Sequence, residues 1–156
     1  GREIDCLPDM GMRRELFVYG RLPLMHLRHC PVSAARGEGR QSCARCALAR
    51  PGERADADTL TDRKGISFPL EPYKTQSGCV LVVRNSVPTM LLRRLNRIPA
   101  ADAWRVLITD EDQDAARAVV RAHRMAIDGA DFQSGAEWAA LKCMNTTTGH
   151  YFRGVE

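Results

Sequence analysis

The chain has 156 residues, 44% of them hydrophobic and 27% charged, with a net charge of +4. That length is one domain's worth, and that composition excludes global disorder, a collagen repeat and a coiled coil. Apolar runs are short: Val80-Leu81-Val82-Val83 ends at Arg84, where a membrane helix needs about 20 such residues, and no secretory leader is expected.

Residues 2–15 read as the end of a helix and a loop, broken at Pro8-Asp9-Met10-Gly11. Both chain ends are abrupt, so the chain is expected to be a segment of a longer protein. Leu16-Phe17-Val18-Tyr19 is a short β-type run ended by Gly20. Residues 21–58 have the Gly, Pro and Arg content of one long irregular stretch. Such a loop is uncommon inside a compact domain unless it is functional. Thr59 to Tyr73 reads as a hairpin turning at Lys64-Gly65, with Ile66, Phe68 and Leu70 alternating toward a half-buried face. Cys79 to Val83 predicts a strand buried on both faces, as in a parallel sheet, closed by Asn85-Ser86.

Met90 to Arg97 is a short helix candidate, and Trp104 to Ile108 another buried strand. The clearest helix spans roughly 111–127, opened by Thr109 and Asp110 and favoured by Glu111, Asp112 and Asp114 at its positive end. Ala115, Val119, Ala122 and Ala126 give it an apolar face, and Gly129 stops it. Tyr151-Phe152-Arg153 is strand-like. Buried strands alternating with helices predict an α/β fold with a parallel sheet.

The basic side is 20 Arg and 3 Lys, and the sequence pI of 8.9 lies below the value of about 9 that marks a basic nucleic-acid domain. A GC-rich genome also favours Arg over Lys. The distribution says more than the total. From Arg21 to Arg54 seven Arg face only Glu38 and Glu53. The plain reading of that block is a solvated face; the alternative is a track for a polyanion.

Six cysteines stand at 6, 30, 43, 46, 79 and 143. Without a secretory leader, disulfides are not expected. Cys43-Ala-Arg-Cys46 lies in loop-type sequence, where two thiolates can point at one metal ion from a tight turn. Cys30 precedes that pair and Cys79 follows it, so four thiols gather around one loop-rich segment. Four Cys fit tetrahedral zinc or an iron–sulfur cluster, and spacing does not choose between them. Bonding to metal would order backbone that has little apolar surface to bury. His26 and His29 are reserve ligands. Cys6 and Cys143 are expected to be small core hydrophobes.

Tyr19-Gly20-Arg21-Leu22-Pro23-Leu24-Met25, running on to His29-Cys30-Pro31, resembles the collagenase-like peptidase family, whose catalytic type is unassigned. Further matches follow in order: Cys43 and Cys46; Leu60-Thr61-Asp62-Arg63-Lys64-Gly65 with Phe68-Pro69; Cys79 before Asn85-Ser86; and Thr148-Gly149-His150-Tyr151-Phe152-Arg153-Gly154-Val155. The resemblance covers nearly the whole chain and implies the central-to-C-terminal portion of a longer, TIM-barrel-like protein. Strands at 16–19, 79–84 and 104–108 would be late barrel strands. Residues 1–130 would then hold late barrel strands and helices, interrupted by a cysteine-rich loop and hairpin at 21–78, with 131–156 as a closing segment. The N-terminal half of the barrel would be missing, so the piece is expected to be weakly stable alone, with open sheet edges.

The resemblance also implies chemistry. Relatives hold a [4Fe–4S] cluster on four cysteines and hydroxylate RNA bases, in transfer or ribosomal RNA, or ubiquinone precursors without molecular oxygen, with prephenate as hydroxyl donor. By position Cys30, Cys43, Cys46 and Cys79 match the cluster ligands, which tips zinc against iron–sulfur toward the latter. A barrel carries its reactive face at the C-terminal strand ends, where Gly20-Arg21, Asn85-Ser86 and Thr109-Asp110 fall. Arg21 could grip a donor carboxylate or bridge loops, and His29 could move protons or orient its loop. An RNA partner, no membrane and a cytoplasmic location follow as expectations. The alternatives are a peptidase and a non-catalytic zinc-binding RNA module. No G-x-S-x-G or H-E-x-x-H is present, and only His150 and Cys143 offer peptidase chemistry.

Overall fold

The computed structural model describes residues 6, 8, 10–35, 37, 59–75, 78–149 and 151–152. In chain order its elements are β1 (Glu15–Gly20), β2 (Pro23–Leu27), α1 (Pro31–Ala35), β3 (Thr59–Thr61), β4 (Ser67–Thr75), β5 (Gly78–Arg84), β6 (Thr89–Met90), β7 (Ala103–Val106), α2 (Gln113–Ile127) and α3 (Ala136–Cys143), with 3-10 turns at Leu92–Arg97 and Phe132–Ser134. Helices and strands are mixed, so the chain is α/β. It divides into two units: residues up to Arg21 with those from Val87 onward, and the inserted Leu22–Ser86.

The first unit is built on β1. It lies between β6, antiparallel, and β7, parallel, with Leu16 opposite Trp104. Both faces of this sheet are covered, which is why β1 reads as an unbroken apolar run. Leu16 and Val18 join Leu91 on one side, with Ile98, Trp104 and Phe152 against them. Tyr19 joins Met90, Leu92, Val119, Ala122, Trp138 and Leu141 in the larger cluster, formed with α2 and α3. Gly20 has φ +133°, and a Cβ there would stand 2.6 Å from the Leu107 carbonyl oxygen. Only glycine lets β1 end this close to the residue after β7.

The helix forecast over 111–127 begins two residues later, at Gln113. The Asp112 carboxylate takes the Ala115 N–H at 2.7 Å and so caps it. Ala118, Val119, Ala122 and His123 are its buried residues; Ala115 and Ala126 are half-buried. Gly129, at φ +72°, ends it as expected.

The inserted unit is one antiparallel sheet in the order β2-β5-β4-β3. The forecast hairpin is present, pairing Leu60 with Phe68. Asp62 shapes its turn: its carboxylate accepts from the Lys64 and Ile66 amides at 2.8 and 2.9 Å. Gly65 supplies φ +79° there. The unit's apolar core is small, made of Leu70, Leu81 and Val83 with Leu27, Cys30, Val32, Leu60 and Phe68 around them.

Several expectations are corrected. β5 pairs antiparallel with both neighbours and is not in the β1 sheet. Only β1 and β7 run parallel, and the described strands close no barrel. An apolar run reports burial, which an antiparallel strand reaches as well as a parallel one. The stretch 21–58 is not uniformly irregular, since it contains β2 and α1; Arg36 and residues 38–58 lie outside the described residues. Met90 ends β6, and the helix forecast at 90–97 is a 3-10 turn from Leu92. Tyr151 and Phe152 are in a turn, not a strand. Cys6 and Cys143 are exposed instead of filling the core; Cys143 closes α3 on the side away from buried Trp138 and Leu141. The helix forecast at the start falls mainly on residues 1–5, outside the described residues; Cys6 is in a turn. Among the described residues no helix is long and apolar enough to cross a membrane.

Candidate functional site

Two polar centres stand out, one in each unit. In the inserted unit β2 and β5 run antiparallel with Leu27 opposite Leu81. The chain leaving β2 therefore reaches Cys30 beside the end where β5 begins. Cys30 packs on the cluster that contains Leu81 and Val83. Cys79 lies two residues before Leu81, and side chains two apart share a face. Two of the four forecast thiols thus share one end and one face of a single sheet. Cys30 is half-buried and its sulfur accepts the Ser33 N–H at 3.4 Å. Cys79 is exposed. Cys43 and Cys46 fall outside the described residues, so at most two members of that set are in view. Among the described residues no group of three or more His, Cys, Asp and Glu could hold a metal. His26 and His29 are exposed.

At the other end of β5 Arg84 is buried and tied off. Its Nε donates to Glu71 at 2.6 Å and its Nη2 to the Tyr73 hydroxyl at 2.8 Å. Burial, then the bond and charge of Glu71, raise the Tyr73 hydroxyl above its ordinary pKa.

In the first unit, polar groups gather where β1 and β7 end. The Leu107 N–H donates to the Tyr19 carbonyl at 2.9 Å, holding the two ends together. Arg21 Nε donates to Asp110 at 2.7 Å, and the Thr109 hydroxyl donates to the same oxygen at 3.0 Å. Glu111 takes the Tyr19 hydroxyl at 2.8 Å on one oxygen and the Thr109 N–H at 2.7 Å on the other. Burial acts to raise the Asp110 pKa, but the bond and charge of Arg21, with help from Thr109, hold it below the usual carboxylate value. Burial and then Glu111 push the Tyr19 hydroxyl far above a free phenol. Arg21 is thus engaged by an acid within its own unit.

His123 lies beneath this centre, 2% exposed, edge-on to the rings of Tyr19 and Trp104. Its Nδ1 is 2.8 Å from the Val119 carbonyl, so that nitrogen carries the proton. Its Nε2 has no partner among the described residues. Burial lowers its pKa, against the pull of the Val119 bond.

The Tyr19–Glu111 pair, the Arg84 cluster and His123 were not singled out from the sequence. From the sequence Glu111 reads as a helix-end charge, and Tyr19 as a strand residue that opens the Tyr19–Met25 motif. Nothing in their spacing, 92 positions apart, announces the contact. The chain matches no protein-family model, and no curated protein or solved structure is significantly similar to it.

Proposed function

We propose that this chain is part of an iron–sulfur enzyme of the collagenase-like peptidase type, acting in oxygen-independent hydroxylation of an RNA base. The observation that carries the reading is the shared sheet end and face of Cys30 and Cys79, in a unit with a small apolar core. Cys43 and Cys46, supplied by the intervening segment, would complete a four-thiol donor set, which suits [4Fe–4S] or zinc chemistry. The Ser33 N–H on the Cys30 sulfur is the kind of bond that tunes a cluster. When bound, the cluster supplies a redox-active iron site. The parallel β1–β7 pair, with Arg21, Thr109, Asp110 and Glu111 at its C-terminal end, supports a TIM-barrel-like parent with its reactive face there.

In this reading Arg21 positions the Asp110 loop, and His29, exposed beside Cys30, is available to move protons. Prephenate remains the expected hydroxyl donor and the cytoplasm the expected compartment. Of the peptidase pair, His150 lies outside the described residues and Cys143 is exposed; the preference for the iron–sulfur reading rests on the placement of Cys30 and Cys79. Anaerobic purification is expected to give a brown protein with equal iron and acid-labile sulfide, and RNA from cells lacking the protein to lose a base one oxygen atom heavier. A colourless protein with stoichiometric zinc and unchanged RNA contradicts the proposal and points to a zinc-binding RNA module.

A further inference from the structure

At the opposite end of β1 from Arg21 there is a cleft of about 410 Å³, lined by residues 11–14 and 100–102. It lies wholly within the first unit. The Arg14 N–H donates to the Asp102 carboxylate at 2.7 Å, and the Asp102 and Ala103 amides donate back to the Arg14 carbonyl at 2.9 and 3.2 Å. These bonds fix the wall of the cleft to the first residues of β1 and β7. The guanidinium groups of Arg13 and Arg14 have no acidic partner among the described residues. Among the other described arginines of this unit, Arg21 is held by Asp110, Arg105 by Glu15, Arg117 by Asp114, Arg121 by Glu137 and Arg124 by Asp128, Arg93 bonds the Thr146 hydroxyl and backbone carbonyls, and Arg94 and Arg97 lie over the Phe152 ring. Two adjacent uncommitted forks on a fixed wall suit an anion with several oxygens.

We propose that this cleft is a binding site for the sugar–phosphate backbone of single-stranded RNA, separate from the thiol centre. Arg13 and Arg14 hold phosphates. Asp102 uses one oxygen for the Arg14 amide and has no partner for the other among the described residues, and as an acceptor it suits a ribose 2′-hydroxyl. Small residues, Gly11, Ala100 and Ala101, leave room for a backbone to approach. Met10 and Met12, 68% and 69% exposed, offer polarizable surface to bases at the rim. β1 is six residues long, so the cleft stands roughly 20 Å from the Arg21 end, a span that a few nucleotides cover. The site deepens the RNA reading above, yet metal content and hydroxylation can fail while binding here persists.

The test is fluorescence anisotropy on the protein with a single-stranded RNA of about ten nucleotides, the same sequence as DNA, and as 2′-O-methyl RNA. RNA is expected to bind tightest. DNA and 2′-O-methyl RNA, neither able to donate from the 2′ position, fall to a common level about threefold or more weaker, the worth of one hydrogen bond. The double substitution Arg13→Ala with Arg14→Ala flattens the log–log salt dependence by about 1.4, two single-strand contacts at about 0.7 each. Arg13→Lys with Arg14→Lys preserves that slope, which separates charge from folding. The proposal is overturned if RNA does not bind, if the double alanine variant keeps the wild-type affinity and slope while folded, or if polyglutamate competes as well as RNA.

Discussion

In the first unit Val18, Tyr19, Met90, Leu91, Val119, Ala122 and Leu141 are completely shielded from water, on both faces of the β1 sheet. Among the described residues of the inserted unit the buried set is Leu70, Leu81, Val82, Val83 and Arg84, and all of β2 from Pro23 to His26 is exposed. Both units have hydrogen-bonded strand pairs, so the contrast lies in side-chain burial. Ladder hydrogen bonds exchange for bonds to water and contribute little net stability, whereas apolar burial drives folding. A small sheet with so little core is the kind of structure that a metal centre stabilises. Cys30 and Cys79 stand in that unit.

The strongest way to break the comparison is at Gly20. Gly20→Ala forces a side chain onto the Leu107 carbonyl at positive φ. A loss of about 2–5 kcal/mol is expected, read by denaturant unfolding as a shift in the first unit, with metal content unchanged. Leu141→Ala, at a fully buried position, is expected to cost about 2–5 kcal/mol in the same unit, whether or not metal is bound. Tyr19→Phe leaves one Glu111 oxygen without its donor and is expected to cost about 1–3 kcal/mol, less than either.

Acid sharpens the contrast further. His123 titrates below its ordinary value of 6.5 when folded. The unfolded chain therefore takes up the proton first, and stability falls as pH drops below about 6.5 toward the lowered folded value. Asp110 adds a second loss beneath the usual carboxylate range, because its folded pKa is also depressed. Thermal melts of the first unit are expected to shift downward across the first window, and His123→Phe to flatten that limb. At the small end, Arg117→Ala removes a surface pair with Asp114, their side chains 51% and 93% exposed, and is expected to change stability by no more than about 0.5 kcal/mol.

Local chemistry was legible where the chain makes its own structure. The Leu16–Tyr19 run, the turn at Gly65 and the stop at Gly129 each rest on neighbouring residues. β2 was hidden in the presumed loop because an edge strand exposed on both faces has no hydrophobic alternation to read. The direction of β5 was hidden because its partners, β2 and β4, do not alter its own composition. Cys143 looked buried from its spacing to Leu141, yet two positions along a helix is the opposite face. Of the candidate site, the pattern of thiols was readable, and Cys30 and Cys79 do share a sheet end. The Glu111 bonds and the buried His123 depend on tertiary contacts that no local pattern carries.

The central claim is that the inserted unit owes its order to an inorganic centre on Cys30, Cys43, Cys46 and Cys79, while the first unit does not. Hydrogen exchange followed across both units, in protein prepared anaerobically and after chelation of its metal, tests this most directly. The account predicts that stripping speeds exchange through β2, β4 and β5 and leaves β1, α2 and α3 as slow as before. Equal protection of β5 in the loaded and stripped protein, or a preparation that never holds metal and protects β5 all the same, would contradict it.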